Sequence, residues 1–226
     1  MASEPALPAA VQSSLTWSLV VPVKVLAVAK SRLTGMAEPR RRELALAMAA
    51  DTVAAALAAE VVADVLVVTD DPQVSKLASD LGAVVLPDGP AAGLNQAMEY
   101  GASFSRAAWP RRGLGALAGD LPAARPGELT AALAAAAVLG TAIVPDADGT
   151  GTVLYAVVPP VPFRPQFGLS SRDRHLAGGA AEITGAVSLR GLRRDVDTPE
   201  NLREAAAIGL GPHTGALLAA EPWLVG

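Results

Sequence analysis

The chain has no cysteine among its 226 residues, and aromatic side chains make up only 4% of it. Without thiols there is no disulfide, no zinc–thiolate centre and no cysteine nucleophile. Histidine is nearly as scarce, with His175 and His213 the two copies, and no serine sits in a G-x-S-x-G elbow. The GxxxxGK[ST] phosphate loop and a clean GxGxxG are also missing, which takes support from two common nucleotide folds. Positive charge is in deficit. Eighteen Lys and Arg against 22 Asp and Glu leave a net charge of −4, unlike the basic stripe of a nucleic-acid binder, so no nucleic-acid partner is expected. One long uncharged stretch, Leu129–Pro145, holds 17 residues and contains Gly140 and Thr141. It reads as a helix end followed by a strand, and it is too short and alanine-rich for a membrane span. The opening residues lack a basic region and a long apolar run, so no signal peptide is expected and the chain reads as cytoplasmic.

Alanine is what the chain has in excess, 48 of 226 residues. It favours helix and contributes little burial per residue, which predicts a helix-rich, finely packed domain. The length suits one domain, read as residues 18–210 between a tail over 1–17 and another over 211–226. Strand-like runs at Leu19–Val23, Val65–Thr69, Ala83–Leu86, Leu114–Ala118 and Ala142–Val144 alternate with helical stretches at Arg40–Glu60, Pro72–Leu81, Gly93–Phe104 and Pro126–Leu139. That alternation predicts an α/β fold with a Rossmann-like, mostly parallel sheet between helices. The second half is less regular: Val153–Val158, a Pro-rich loop, a helix near Ser171–Gly178, Ile183–Leu189, and a final helix from Pro199.

Cations follow the first strand, and carboxylates stand at later strand ends. Lys24, Lys30 and Arg32 occupy the loop leaving that strand, where open α/β sheets bind ligands. They would neutralise a triphosphate, Arg32 by its fork and the lysines as point charges; a solvated loop has the same look. Leu117-Ala118-Gly119-Asp120 brings a carboxylate to a strand's end past small residues, although such an aspartate is often a cap or turn. Asp195 and Asp197 alternate around Val196, so in an extended segment their carboxylates share a face and suit Mg²⁺. The competing reading has Asp197 or Thr198 capping the helix that begins at Pro199. In Asp146–Thr152, glycines and hydroxyls would let backbone amides approach an anion, as would the helix start at Ser170–Ser171. His175 reads as a surface or packing residue, not a base.

VPVKVLAVAKSRL, VVTDDP, GLNQAMEYG, LAGDLP, DGTGT, FGLSSRDRH and RRDVDTPENL follow one another from residue 21 to residue 202. Together they resemble the 2-phospho-L-lactate guanylyltransferase family (CofC) and its actinobacterial relatives that use phosphoenolpyruvate (FbiD), enzymes of coenzyme F(420) biosynthesis. The resemblance implies a nucleotidyltransferase with a glycosyltransferase-A-like, nucleotide-diphospho-sugar transferase fold. It implies transfer of GMP from GTP to the phosphate of a small three-carbon acid, with release of pyrophosphate. Asp120, Asp195 and Asp197 then look like Mg²⁺ ligands, and Thr152, Gly168 and Ser171 like contacts for the acceptor's carboxylate end. Lys24, Lys30 and Arg32 would hold the triphosphate, with Lys30 and Arg32 stabilising the leaving group, and Gly93 and Asn95 would lie near base and ribose. Leu169 and Ser170 depart from the pattern, where smaller or more polar residues are expected. Rival readings keep the fold but change the acceptor to a sugar phosphate, or make the chain a non-catalytic nucleotide-binding subunit. An unstable product would favour handover to a downstream transferase, while the oligomeric state is not written in the sequence.

Overall fold

The first apolar run becomes β1, Trp17–Pro22, every residue of which is buried. It lies in mid-sheet with parallel neighbours on both sides, β2 (Val62–Val68) and β4 (Gly113–Leu117). This burial on both faces is why the run is continuous rather than alternating. The structure, a computed structural model, describes residues 15–23, 33, 36–89, 93–183 and 188–220.

Among these residues the strands form one sheet in the order β3-β2-β1-β4-β6-β5-β7, with β3 at Val84–Leu86, β5 at Thr141–Pro145, β6 at Thr152–Val157 and β7 at Ala181–Glu182. β6 runs antiparallel to both of its neighbours, and the other pairings are parallel. The strand order reverses between β1 and β4. At such a switch point open α/β sheets bind ligands beyond the carboxyl ends of their strands.

Helices cover both faces. Leu19 and Val21 of β1 pack on one side with α1 (Glu38–Leu57) and α4 (Pro126–Leu139), while Val20 packs on the other with α3 (Leu94–Ala108). The short α2 (Pro72–Leu81) starts on Asp71, whose carboxylate accepts from the N–H groups of Gln73 and Val74 at 2.9 and 3.4 Å. A third apolar cluster joins α1 to α7 (Pro199–Ile208) and α8 (Pro212–Ala220), with Val196 inside it. α5 (Ser171–Ala177) and α6 (Arg190–Arg193) complete the described helices.

Two expectations change. The tail expected from residue 211 holds α8, which docks on α1: the buried Asp51 carboxylate accepts from the N–H groups of His213 and Thr214 at 2.9 and 2.8 Å, and Leu218 is buried. The strand expected at Ile183–Leu189 pairs earlier. β7 aligns Ala181 and Glu182 with Ala142 and Ile143, Leu189 leads directly into α6, and residues 184–187 lie outside the described residues. Among the described residues no helix is long and apolar enough to cross a membrane.

Candidate functional site

Asp120 lies in the loop after β4, and Asp195 and Asp197 lie between α6 and α7. Several contacts join these stretches. The Val196 N–H donates to the Asp120 carbonyl at 3.2 Å. One residue after Asp120, the Leu121 N–H donates at 2.9 Å to the buried Thr52 hydroxyl, which itself donates to the Met48 carbonyl within α1. Glu128, in the first turn of α4, accepts from the N–H groups of Gly191 and Leu192, each at 2.9 Å. Gly191 presses so close on the Ala123 carbonyl that a Cβ there would overlap it, so only glycine permits the approach. Val196 is fully buried, while its neighbours Asp195 and Asp197 keep part of their surface open. Both are half-buried, as is Asp120.

The helix cap after this segment belongs to Thr198, not Asp197. Its hydroxyl accepts from the Asn201 N–H at 3.2 Å, while Asn201 Oδ1 accepts from the N–H groups of Asp197 and Thr198. The three aspartates are drawn together through their backbones and not as a closed cage. Among the described residues no three His, Asp or Glu side chains are grouped to hold a metal ion.

Lys24, Lys30 and Arg32 lie outside the described residues. The chain approaches them through Val23, whose N–H donates to the Val68 carbonyl at 3.0 Å. A Cβ on Gly119 would lie 3.3 Å from the Pro22 carbonyl, so the exit of β1 runs directly beside the Asp120 loop. On the other side, Gly93 precedes α3 in a left-handed conformation, φ 115°. Asn95, expected near base and ribose, serves here as a clamp. Its Oδ1 accepts from the Phe167 N–H at 2.8 Å, and its Nδ2 donates to the Phe167 carbonyl at 3.1 Å.

Phe167 leads into the turn that carries Gly168 and Ser171. Gly168 has φ 119°, and Ser170, unusually for a residue with a side chain, has φ 53°. The amides expected to be open to an anion are mostly engaged. The Ser171 N–H donates to the Gly168 carbonyl and the Arg172 N–H to the Thr150 carbonyl. In the neighbouring loop, the Asp146 carboxylate accepts from the N–H groups of Thr150 and Gly151 at 2.9 and 2.7 Å, so this loop carries its own anion. Arg193 fastens the same loop from the aspartate segment, donating to the Asp146 carbonyl at 2.7 Å. Leu169 is 93% exposed and adds no packing.

Side chains therefore supply much of the donor capacity of this end. Thr152 opens β6 and is buried, with Oγ1 3.0 Å from His175 Nδ1. His175, read from the sequence as a surface or packing residue, packs inside. It is buried, stacks on Tyr155 with centroids 4.7 Å apart, and meets the Phe167 ring edge-on. Its pKa is lowered to about 4, chiefly by burial; a backbone hydrogen bond at Ser171 opposes the shift and the Arg174 charge adds to it. The ring is neutral near pH 7. The sequence offered one hint of this role, the i,i+4 spacing that puts Ser171 and His175 on one face of a short helix. Arg174 leaves its guanidinium close to Gly168, with Nη2 3.2 Å from the Cβ position there.

Residues 17–219 match the family described as guanylyl transferase CofC like. The chain is 58% identical to the phosphoenolpyruvate guanylyltransferase of Thermomonospora curvata, over 93% of this chain and 92% of that one. It is 54% identical to the protein of the same name from Salinispora arenicola, over 89% and 92% of the two chains. Among solved structures, a nucleotide-diphospho-sugar transferase assignment from Desulfovibrio desulfuricans superposes with TM-score 0.64 at 15% identity, covering 92% of this chain and 96% of that one. A Methanothermobacter nucleotidyl transferase gives TM-score 0.58 at 19% identity, over 85% and 97%. At such identities these two show the shared fold alone.

Proposed function

The chain belongs to the CofC-like guanylyl transferase family, and from that premise we propose that it moves GMP from GTP onto the phosphate of phosphoenolpyruvate, releasing pyrophosphate. The reading is carried by identity above 50%, over about nine tenths of both chains, to proteins bearing the name of that reaction. We place the step in coenzyme F(420) biosynthesis, with handover of the product to the transferase that consumes it.

In this reaction an oxygen of the acceptor phosphate attacks the α-phosphorus of GTP. The new P–O bond forms as the bond from the α-phosphorus to the bridging oxygen breaks, and the electron pair leaves with pyrophosphate. The attacking group is already an anion, so no strong general base is needed. This suits a crevice whose buried histidine is held neutral and turned away from base chemistry. The obstacle is repulsion between anions, which fixed opposite charge relieves.

Asp120, Asp195 and Asp197 would hold Mg²⁺. Their carboxylates, on half-buried residues whose backbones are linked by the Val196–Asp120 hydrogen bond, have the hard oxygens of an ion that takes a few carboxylates and completes its shell with water and substrate phosphates. When bound, it would supply charge neutralisation at the reacting phosphates. Lys24, Lys30 and Arg32 would hold the triphosphate, with Lys30 and Arg32 facing the departing pyrophosphate. Gly93 would border the nucleotide, and Asn95 would act on the site through its clamp on Phe167. Thr152, Gly168 and Ser171 would receive the acceptor's carboxylate.

The test is pyrophosphate release from GTP and Mg²⁺ with phosphoenolpyruvate or 2-phospho-L-lactate, alone and coupled to the downstream transferase. Release with phosphoenolpyruvate is the expected result. Release with phospholactate only would change the acceptor, and silence with both acids in the coupled assay would overturn the reading.

A further inference from the structure

We infer that His175 is a positioning residue for the acceptor, fixing the Thr152 hydroxyl so that its hydrogen points away from the imidazole and toward the acceptor's carboxylate. This rests on the reading above that Thr152 touches the acceptor.

The argument follows the protons. His175 Nε2 lies 2.9 Å from the Gln166 N–H, a group that can only donate, so Nε2 must be the bare nitrogen. In a neutral ring the hydrogen then sits on Nδ1. Nδ1 is 3.0 Å from Thr152 Oγ1, so in this pair the threonine oxygen accepts. A hydroxyl that accepts from Nδ1–H keeps its own hydrogen for another partner. The nearby amides of Thr150 and Gly151 are already taken by the Asp146 carboxylate, which increases the value of one directed hydroxyl donor. The ring has little freedom to turn, with Tyr155 stacked on one side at 4.7 Å and Phe167 edge-on at 5.3 Å. Asn95 extends the chain of control by holding the Phe167 backbone from α3.

The tautomer is measured first, on the wild-type protein labelled with ¹⁵N-histidine, by long-range proton–nitrogen correlation. Hydrogen on Nδ1 of His175 is expected, and hydrogen on Nε2 overturns the inference. Kinetics then use pyrophosphate release at saturating GTP. His175→Phe keeps a flat ring but removes both nitrogens. It should raise the phosphoenolpyruvate KM about tenfold, the scale of one well-placed hydrogen bond, with the GTP KM unchanged. His175→Asn, whose amide N–H can replace Nδ1–H, should recover most of that loss. Thr152→Val should raise the same KM, and adding His175→Phe to it should change nothing more. If Thr152→Val acts and His175→Phe does not, or if their effects simply add, the positioning role fails while the acceptor site stands. If Thr152→Val leaves the phosphoenolpyruvate KM at the wild-type value, the acceptor contact fails and takes this inference with it.

Discussion

The Val196 N–H donates to the carbonyl of Asp120 at 3.2 Å, across 76 positions of sequence. That bond sets the depth at which the Asp195-Val196-Asp197 segment lies against the β4 loop, while the buried Val196 side chain sets its rotation. Two stretches of chain that carry half-buried aspartates are thus held side by side.

If those carboxylates hold the metal, Asp195→Asn should lower Mg²⁺-dependent turnover by roughly a hundredfold or more, several kcal/mol of barrier, with the circular dichroism spectrum unchanged. Turnover equal to wild type across a Mg²⁺ titration would remove Asp195 from the ligand set.

Glu128 supports the same segment from α4, by two hydrogen bonds of 2.9 Å to Gly191 and Leu192. Glu128→Gln keeps one good acceptor and gives up the charge. We expect a loss of about 1–3 kcal/mol in urea unfolding, together with reduced turnover, because the aspartate segment loosens. An unchanged unfolding midpoint would show that α6 is held by other contacts.

His175 makes stability depend on pH. Its folded pKa of about 4 lies below the ordinary 6.5, so the unfolded chain binds the proton first as pH falls. Stability from this group is complete above about pH 6.5 and is lost progressively down to about pH 4. Between about pH 7 and pH 5 the fall should be about 2 kcal/mol. Urea unfolding at both values should show it in the wild type and a correspondingly weaker fall in His175→Phe. Equal slopes in the two proteins would contradict the depressed pKa.

Ser170 adopts φ 53° and ψ 36°, a left-handed conformation that crowds its Cβ. Ser170→Gly should therefore stabilise the protein by about 0.5–1 kcal/mol, after allowing for glycine's greater freedom when unfolded. A measured destabilisation would mean that the Ser170 hydroxyl contributes more than its backbone strain costs.

Much of the fold could be read because its physics is local. β1 from Leu19 onward and the end of β2 are unbroken apolar runs, as strands covered on both faces must be, and α4 spans Pro126–Leu139 as its proline and following glycine suggest. The alternation around Val196 was legible in part: Val196 is buried, and Asp195 and Asp197 are half-buried. What could not be read were contacts made at a distance. Nothing in Asp146-Ala147-Asp148-Gly149 says that the first carboxylate folds back onto the amides of Thr150 and Gly151, so the loop looked open to an outside anion. The two nitrogens of His175 acquire their roles only when β6 and the Pro-rich loop arrive on either side of it. Gly211-Pro212-His213 has the composition of a tail, and the cap that makes it a helix start is contributed by α1.

That last contact has a consequence for the order of events during synthesis. Asp51 emerges from the ribosome 162 positions ahead of His213, and its carboxylate is buried once the α8 amides have closed over it. Until then it remains a charge that prefers water, sitting one residue from the Thr52 hydroxyl that holds Leu121. A nascent chain that already contains every strand of the sheet would thus keep α1 wet on one side. Docking of α8 on α1 would wait for translation to pass the turn at Gly211.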